Sequence, residues 1–297
     1  MEAFSRGWNF LKQAWQMAFK DRDLLKPSLY ALVVGAVVSV IGVIPIIGVA
    51  FVAGESEFAN IILFVMSAIL IFVQFIVSYI FSAMTVYLIY QYLTKGDGKM
   101  GDAWAIVKRD FFDILTLAAA STVVNLIKNA ANRNKKGSIG AAVARAGAGL
   151  LDTLWTEAAL LILPAMVIDD LNLKKGMERI WQITKSNLLL IGISTVGVKW
   201  VTGLIGFVLG MIGAAIGFVI GGGAAYASSD PIIIAIGIGV GVMIFFFFVM
   251  LASFVTTYTS TAYHTCLYIW ARDVETAQEK GRSGQVAAPA PLAAVLN

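Results

Sequence analysis

The sequence predicts an all-α, polytopic membrane protein, and three observations carry that prediction. All 22 Lys and Arg residues fall in or beside five stretches, 1–26, 95–109, 128–145, 174–199 and 272–282. Between them run blocks without a formal charge, such as 58–94 and 231–271, far longer than the ~20 apolar residues that cross a bilayer. Hydrophobic residues make up 59% of the 297-residue chain and charged residues only 13%, whereas about a quarter of residues are charged in soluble domains. In water such a chain would expose too much apolar surface; lipid is its solvent.

The opening segment, 1–26, lacks the apolar core of a removable signal peptide. Phe4, Trp8, Leu11, Trp15 and Phe19 recur at spacings of three and four, while Arg6, Asn9, Lys12, Gln13, Gln16 and Lys20 fall mostly elsewhere. That pattern predicts an amphipathic helix. Its aromatic face suits the headgroup layer, with Trp8 and Trp15 as anchors; a helix packed on protein selects the same pattern.

The first span follows Pro27, whose missing N–H is harmless at a helix start. It runs to about Val52, with a kink expected around Gly42, Pro45 and Gly48. The connector Gly54-Glu55-Ser56-Glu57 is acidic and free of Lys and Arg, which marks the outside. The return segment, 58–93, holds 36 residues and would reach about 54 Å as one helix, against a hydrocarbon core of roughly 30 Å. It must tilt or stand out into the cytosol before Lys95-Gly-Asp-Gly-Lys99 stops it.

Two readings remain open for 110–168. Its apolar stretches, 111–127 and 150–168, are short and interrupted by Asp113, Asp152, Glu157 and the helix-breaking Pro164. The loop between them carries Lys128, Arg133, Lys135, Lys136 and Arg145 and no acidic residue. Two full crossings would put that basic loop outside, against the positive-inside rule. The expected layout is therefore four full spans plus an embedded helical hairpin, with six spans as the alternative. Both place the two termini inside.

Residues 170–187 read as a further interfacial segment, with Trp181 in the headgroup belt. The third span, 188–226, is rich in glycine. Gly206 and Gly210, and Gly213, Gly217 and Gly221, repeat the small-xxx-small spacing at which helix backbones touch. A turn at 226–231 without Lys or Arg leads into the last span, 232–271. The domain organisation expected is an interfacial helix (1–26), a single membrane domain (27–271) and a cytoplasmic tail of linker-like composition (272–297).

Several functions are excluded on composition. The pI near 9.1 reflects cationic loops beside anionic headgroups, not nucleic-acid binding. Cys266 and His264 are each the only residue of their type, too few for a zinc site that needs about four ligands. His264 is expected among Thr and Tyr hydroxyls. No cofactor is expected, the glycines lack the context of a phosphate loop, and no hydrolase elbow is present. The chain reads as non-enzymatic.

Lys199 is the only formal charge between Leu188 and Ser229. An intramembrane cation snorkels or finds a partner, and Glu157 and Asp152 are the natural partners if the hairpin folds against the third span. An ion-path role and a purely structural pair are both open. The hydroxyl run Ser253, Thr256, Thr257, Thr259, Ser260, Thr261 and Thr265 could line a hydrated passage or hydrogen-bond between helices.

Arg6-Gly-Trp8…Trp15, Lys20-Asp-Arg-Asp-Leu-Leu-Lys-Pro27, Gly101-Asp-Ala-Trp104 and Trp155…Leu163-Pro164 with Asp169-Asp170 together resemble a family of uncharacterised prokaryotic multi-pass membrane proteins. Lys175-Gly-Met-Glu-Arg-Ile-Trp-Gln-Ile-Thr-Lys-Ser-Asn187 and Ala262…Leu267-Tyr268 extend the resemblance over most of the chain. It implies a prokaryotic cytoplasmic membrane and carries no activity. A looser likeness, of layout only, is to the CysZ-type sulfate permeases, which also place an amphipathic start before a long helical hairpin and use partially inserted helices. The functional expectation is a self-associating homo-oligomer with a structural or organising role, in contact with lipid and with room for another membrane protein as partner. The alternative is a channel or permease for a small solute or anion.

Overall fold

The computed structural model describes residues 2–53, 56–133, 139–227, 229–281 and 286–296. These fold into helices α1 (Glu2–Lys20), α2 (Lys26–Ala53), α3 (Glu57–Lys95), α4 (Met100–Arg109), α5 (Phe111–Arg133), α6 (Ile139–Asp169), α7 (Leu173–Ala227), α8 (Pro231–Glu279) and α9 (Ala290–Leu296), with a 3-10 turn at Arg22–Leu24. Among the described residues there is no strand.

Helix ends follow local chemistry. Ser56 Oγ accepts the Ala59 N–H at 3.1 Å to start α3. Asp230 accepts the Ile232 N–H at 2.8 Å ahead of Pro231, the first residue of α8. Gly96, at φ +80°, closes α3 in the left-handed conformation that a side chain would resist. Asp21 ties two turns together: its carboxylate accepts the Asp23 N–H at 3.0 Å and the Gly98 N–H at 2.8 Å.

The molecule has two unlike ends. At one end α2 and α3 form a hairpin, and the distal halves of α7 and α8 form another. Their apolar side chains point outward, with Phe51, Val52, Phe218 and Ile232 among the most exposed. At the other end lies a shared core. It joins Phe10 and Ala14 of α1, Met84 and Leu88 of α3, Ile114 of α5, Ile162 of α6, Tyr258 and Tyr263 of α8, and Leu292 of α9. The long helices belong to both ends. At 39, 55 and 49 residues, α3, α7 and α8 reach about 58, 82 and 73 Å, two to three times a hydrocarbon core.

Six described helices, α2, α3, α5, α6, α7 and α8, are long and apolar enough to cross a membrane. They do not meet their surroundings alike. The most apolar windows of α2 and α3 have no buried residue, and those of α7 and α8 only 6%, whereas α5 reaches 28% and α6 39%. Apolar surface this extensive is not tolerated in water.

Two local readings differ from the observed elements. The segment 170–187 is not separate from the third span: one helix, α7, runs from Leu173 to Ala227, because no Pro interrupts 173–227. Pro164 does not end α6, which continues to Asp169; a proline removes one N–H from a ladder that the surrounding packing keeps in place. Pro45 likewise lies inside α2, which runs to Ala53.

Helix α1 buries a face beside its aromatic stripe, of which Trp15 packs against the core. Phe10, Ala14, Met17 and Ala18 are buried, while Phe4, Trp8 and Phe19 stay exposed. The small side chain of Ala14 lets Tyr258 Oη reach the Ala14 carbonyl at 3.0 Å. The tail also takes part, since Leu292 of α9 is fully buried in the shared core.

Candidate functional site

Polar groups collect where the two ends of the molecule meet. A cleft of about 330 Å³ opens between α2, α3 and α8, lined by Ser28, Gly35, Ser39, Gln74, Ser78, Ser253 and Thr257, with Leu32, Val77, Met250 and Phe254 as apolar walls. Gln74 bridges the hairpin, its amide N–H groups donating to the Gly35 carbonyl at 2.9 Å and to Ser39 Oγ at 2.7 Å. Ser28 is only 3% exposed, and its Oγ has no hydrogen-bond partner among the described residues. A buried hydroxyl left this way costs stability unless something else binds it.

The cleft lies at the head of two polar rows. On α8, Ser253, Thr257, Ser260 and His264 follow the i, i+4, i+7, i+11 spacing of one helix face. On α3, Gln74, Ser78, Ser82 and Thr85 follow i, i+4, i+8, i+11. Exposure falls along the α8 row, from an exposed Ser253 to a His264 that is 3% exposed.

At the foot of that row stands an ionic cluster. Glu157 of α6 forms an ion pair with Lys199 of α7, and its second oxygen lies 3.4 Å from His264 Nε2. His264 Nδ1 is 2.7 Å from the Ser260 carbonyl. A carbonyl only accepts, so Nδ1 carries the proton and Nε2 is the nitrogen turned toward Glu157. The Tyr263 ring stands edge-on to the imidazole at 5.1 Å. The cluster is graded from wet to dry: the Lys199 side chain is 51% exposed, Glu157 24% and His264 4%.

The other singled-out residues are dispersed. Asp152 pairs with Lys128 at 2.6 Å and closes the α5–α6 hairpin on itself, away from Lys199. Gly213, Gly217 and Gly221 lie against α8, facing Phe248, Gly241 and Ile238 respectively. Gly206 and Gly210 face open space on α7. Trp15 donates its indole N–H to Thr259 at 3.2 Å and packs edge-on to Phe254 and Tyr258, whereas Trp8 and Trp181 are 49% and 71% exposed. Cys266 is free and fully buried. No group of three His, Cys, Asp or Glu that could hold a metal occurs among the described residues.

Charged ties pin other parts of the core. Tyr268 donates to Asp169, which also accepts from Arg272 at 3.0 Å, and Arg272 sits over the Tyr90 ring at 5.6 Å. Arg109 joins Asp110, Asp170 at 3.2 Å and the Val167 carbonyl. Gln91 links Asp102 and the Lys99 N–H. Several stretches that stand out in the sequence therefore act as joints: Asp21, Asp102, Asp169 and Asp170 hold helix ends.

Sequence reasoning passed over Ser28, Ser39 and Gln74. The available signal was Gln74 itself, an amide in the middle of an uncharged apolar block where polar side chains are kept for a purpose.

The all-α fold and its bare apolar hairpins define an integral membrane protein of the multi-pass helical class. No protein-family model and no curated protein matches the chain.

Proposed function

We propose that this protein is a channel or permease for a small solute, non-enzymatic, set in a prokaryotic cytoplasmic membrane with both termini on the cytoplasmic side. The observation that carries this reading is the contrast between its two helix seams. Where α7 meets α8, glycines bring the backbones together and leave no room. Where α2 and α3 meet α8, hydroxyl and amide groups line an open cleft of about 330 Å³. A helix seam that served packing alone would close as the first does; polar groups at bilayer depth are kept for a passage or for mutual bonding. The polar row of α8 leads from that cleft toward His264 and Glu157 in the core. The α5–α6 hairpin, more buried than the four outer helices, dips in from the cytoplasmic side and keeps the basic loop there. The likeness in layout to CysZ-type permeases agrees with this arrangement.

The test is hydration of the cleft. Single cysteines at Ser78, Ser253 or Thr257, in a Cys266→Ser background, are labelled by a hydrophilic thiol reagent in proteoliposomes. Cysteines at the lipid-facing Val219 and Ile236 are not. Equal silence at all five positions would show a dry cleft and sink the proposal.

A second reading, self-association in a structural or organising role, is favoured by one observation. Gly203, Gly206 and Gly210 of α7 have nothing within 4 Å of an added Cβ, so a small-residue face stands ready for a helix of a second copy. Disulfide cross-linking of a cysteine at Gly206 between copies in native membranes supports it; a monomeric mass in a mild detergent and no cross-link argue against it.

A further inference from the structure

We infer that the cleft between α2, α3 and α8 binds a small, uncharged, hydrogen-bonding solute of the polyol or amide class; this rests on the permease reading and deepens it. The first support is the unspent bonding capacity of the walls. Ser28 lies in the wall of the cleft, its buried Oγ without a partner among the described residues, and Ser253 and Thr257 stand beside it. Gln74 spends its N–H groups on Gly35 and Ser39, while its carbonyl oxygen lies over Gly35, 3.5 Å from where a Cβ would stand. Hydroxyls both donate and accept, so Ser253 and Thr257 can satisfy a ligand carrying O–H or N–H groups beside lone pairs.

The second support is the absence of charge. The lining contains no Asp, Glu, Lys, Arg or His. The sequence places no such residue on α2 after Lys26 or on α3 between Glu57 and Lys95. Along α8 from Pro231 to Ala271 the only titratable candidate of this kind is His264, two turns below Thr257 and turned to Glu157. Lys26 is held by Asp23 at 2.6 Å. An ion entering the cleft would shed water with no counter-charge to replace it, a heavy penalty at low dielectric. A neutral polar solute exchanges one set of hydrogen bonds for another.

Size and walls narrow the class. A volume of about 330 Å³ stands at the small end of the ~300–1,000 Å³ span of ligand pockets. Val77, Met250 and Phe254 offer apolar surface to the C–H face of such a molecule while the hydroxyls take its polar edge.

The experiment is solute flux into proteoliposomes of the full chain, read by stopped-flow light scattering with glycerol and with urea, and by anion electrodes with chloride and sulfate. The expected result is reswelling in glycerol or urea several-fold faster than in protein-free vesicles, with anion efflux no faster than in those vesicles. Gly35→Leu, which fills the cleft, brings the rate down to the protein-free value. The milder Thr257→Val lowers it roughly three- to tenfold, the loss of about one hydrogen bond, and guards against a folding defect in the bulkier variant. Chloride or sulfate flux without neutral-solute flux overturns the assignment of ligand class and leaves the permease reading standing. No flux of either kind, with cleft cysteines closed to hydrophilic reagents, overturns both.

Discussion

Gly217 of α7 and Gly241 of α8 face each other backbone to backbone: a Cβ on Gly217 would stand 2.5 Å from the Gly241 carbonyl oxygen, and the relation is reciprocal. The neighbouring contacts are of the same kind, with Gly213 under Phe248 Cβ and Gly237 under Ala224. Alanine at Gly217 must push two main chains apart, a type of overpacking that costs about 1–3 kcal/mol. Alanine at Gly206 meets nothing within 4 Å and gains helix propensity of up to about 1 kcal/mol. Thermal unfolding of the detergent-solubilised protein should fall for Gly217→Ala and hold or rise for Gly206→Ala. A lowered midpoint for Gly206→Ala in detergent-solubilised dimers only would move that face into an interface.

Glu157 serves two neighbours, so its loss should exceed the loss of either. Glu157→Gln leaves Lys199 without its counter-charge and places an amide beside a nearly dry His264. The Lys199 side chain, half exposed, can turn to water or headgroups, so Lys199→Leu should cost under about 1 kcal/mol. Glu157→Gln should cost about 1–3 kcal/mol. The double variant should cost less than the sum of the two. A ranking with Lys199→Leu as the more damaging change would place the weight of the cluster on the cation.

The helices that pair in the exposed hairpins were legible because lipid demands apolar surface in long runs; the capping roles of Ser56 and Asp230 emerged only with the structure. The Lys199–Glu157 pair was legible for a related reason: a lone charge in an apolar run has to be met. Other features carry no such demand. Asp152 could answer Lys199 or Lys128 equally well on paper, and only the closeness of α5 to α6 selects Lys128. The buried face of α1 relies on Ala14 and Ala18, whose value lies in how little space they take; a stripe of aromatics draws the eye first. Neutral hydroxyls fit many surroundings in a membrane helix, so the cleft emerges only when three helices are assembled.

Trp15 and Trp8 lie on one helix face by spacing but in different surroundings. Trp15→Phe removes the hydrogen bond to Thr259 and should destabilise by about 1 kcal/mol. Trp8→Phe should leave stability unchanged within ~0.5 kcal/mol, as surface changes do. In vesicles with brominated lipids, Trp8→Phe should remove quenchable emission that Trp15→Phe leaves in place.

Sidedness of the basic loop is open to direct measurement. Ser138 lies outside the described residues, and Cys266 is fully buried, so the native thiol should stay silent in the folded protein and react after denaturation. With Cys266→Ser and a cysteine at Ser138, an impermeant thiol reagent should label only permeabilised cells. Labelling of intact cells would mean that α5 and α6 cross fully.

The hydrogen bond from Tyr258 to the Ala14 carbonyl spans 244 residues of chain. At synthesis rates of about 5–20 residues per second, α1 waits roughly 12–50 seconds for the surface that finally receives it. Helices α7, α8 and α9, which all pack against α1, are translated long after it, so the cover over its Phe10, Ala14 and Met17 face is completed late. Insertion of the hairpins can proceed in order, but closure of the shared core is a late event in the life of each molecule. The outward aromatic stripe of Phe4, Trp8 and Phe19 gives the waiting helix a place to rest on the bilayer surface until its partner arrives.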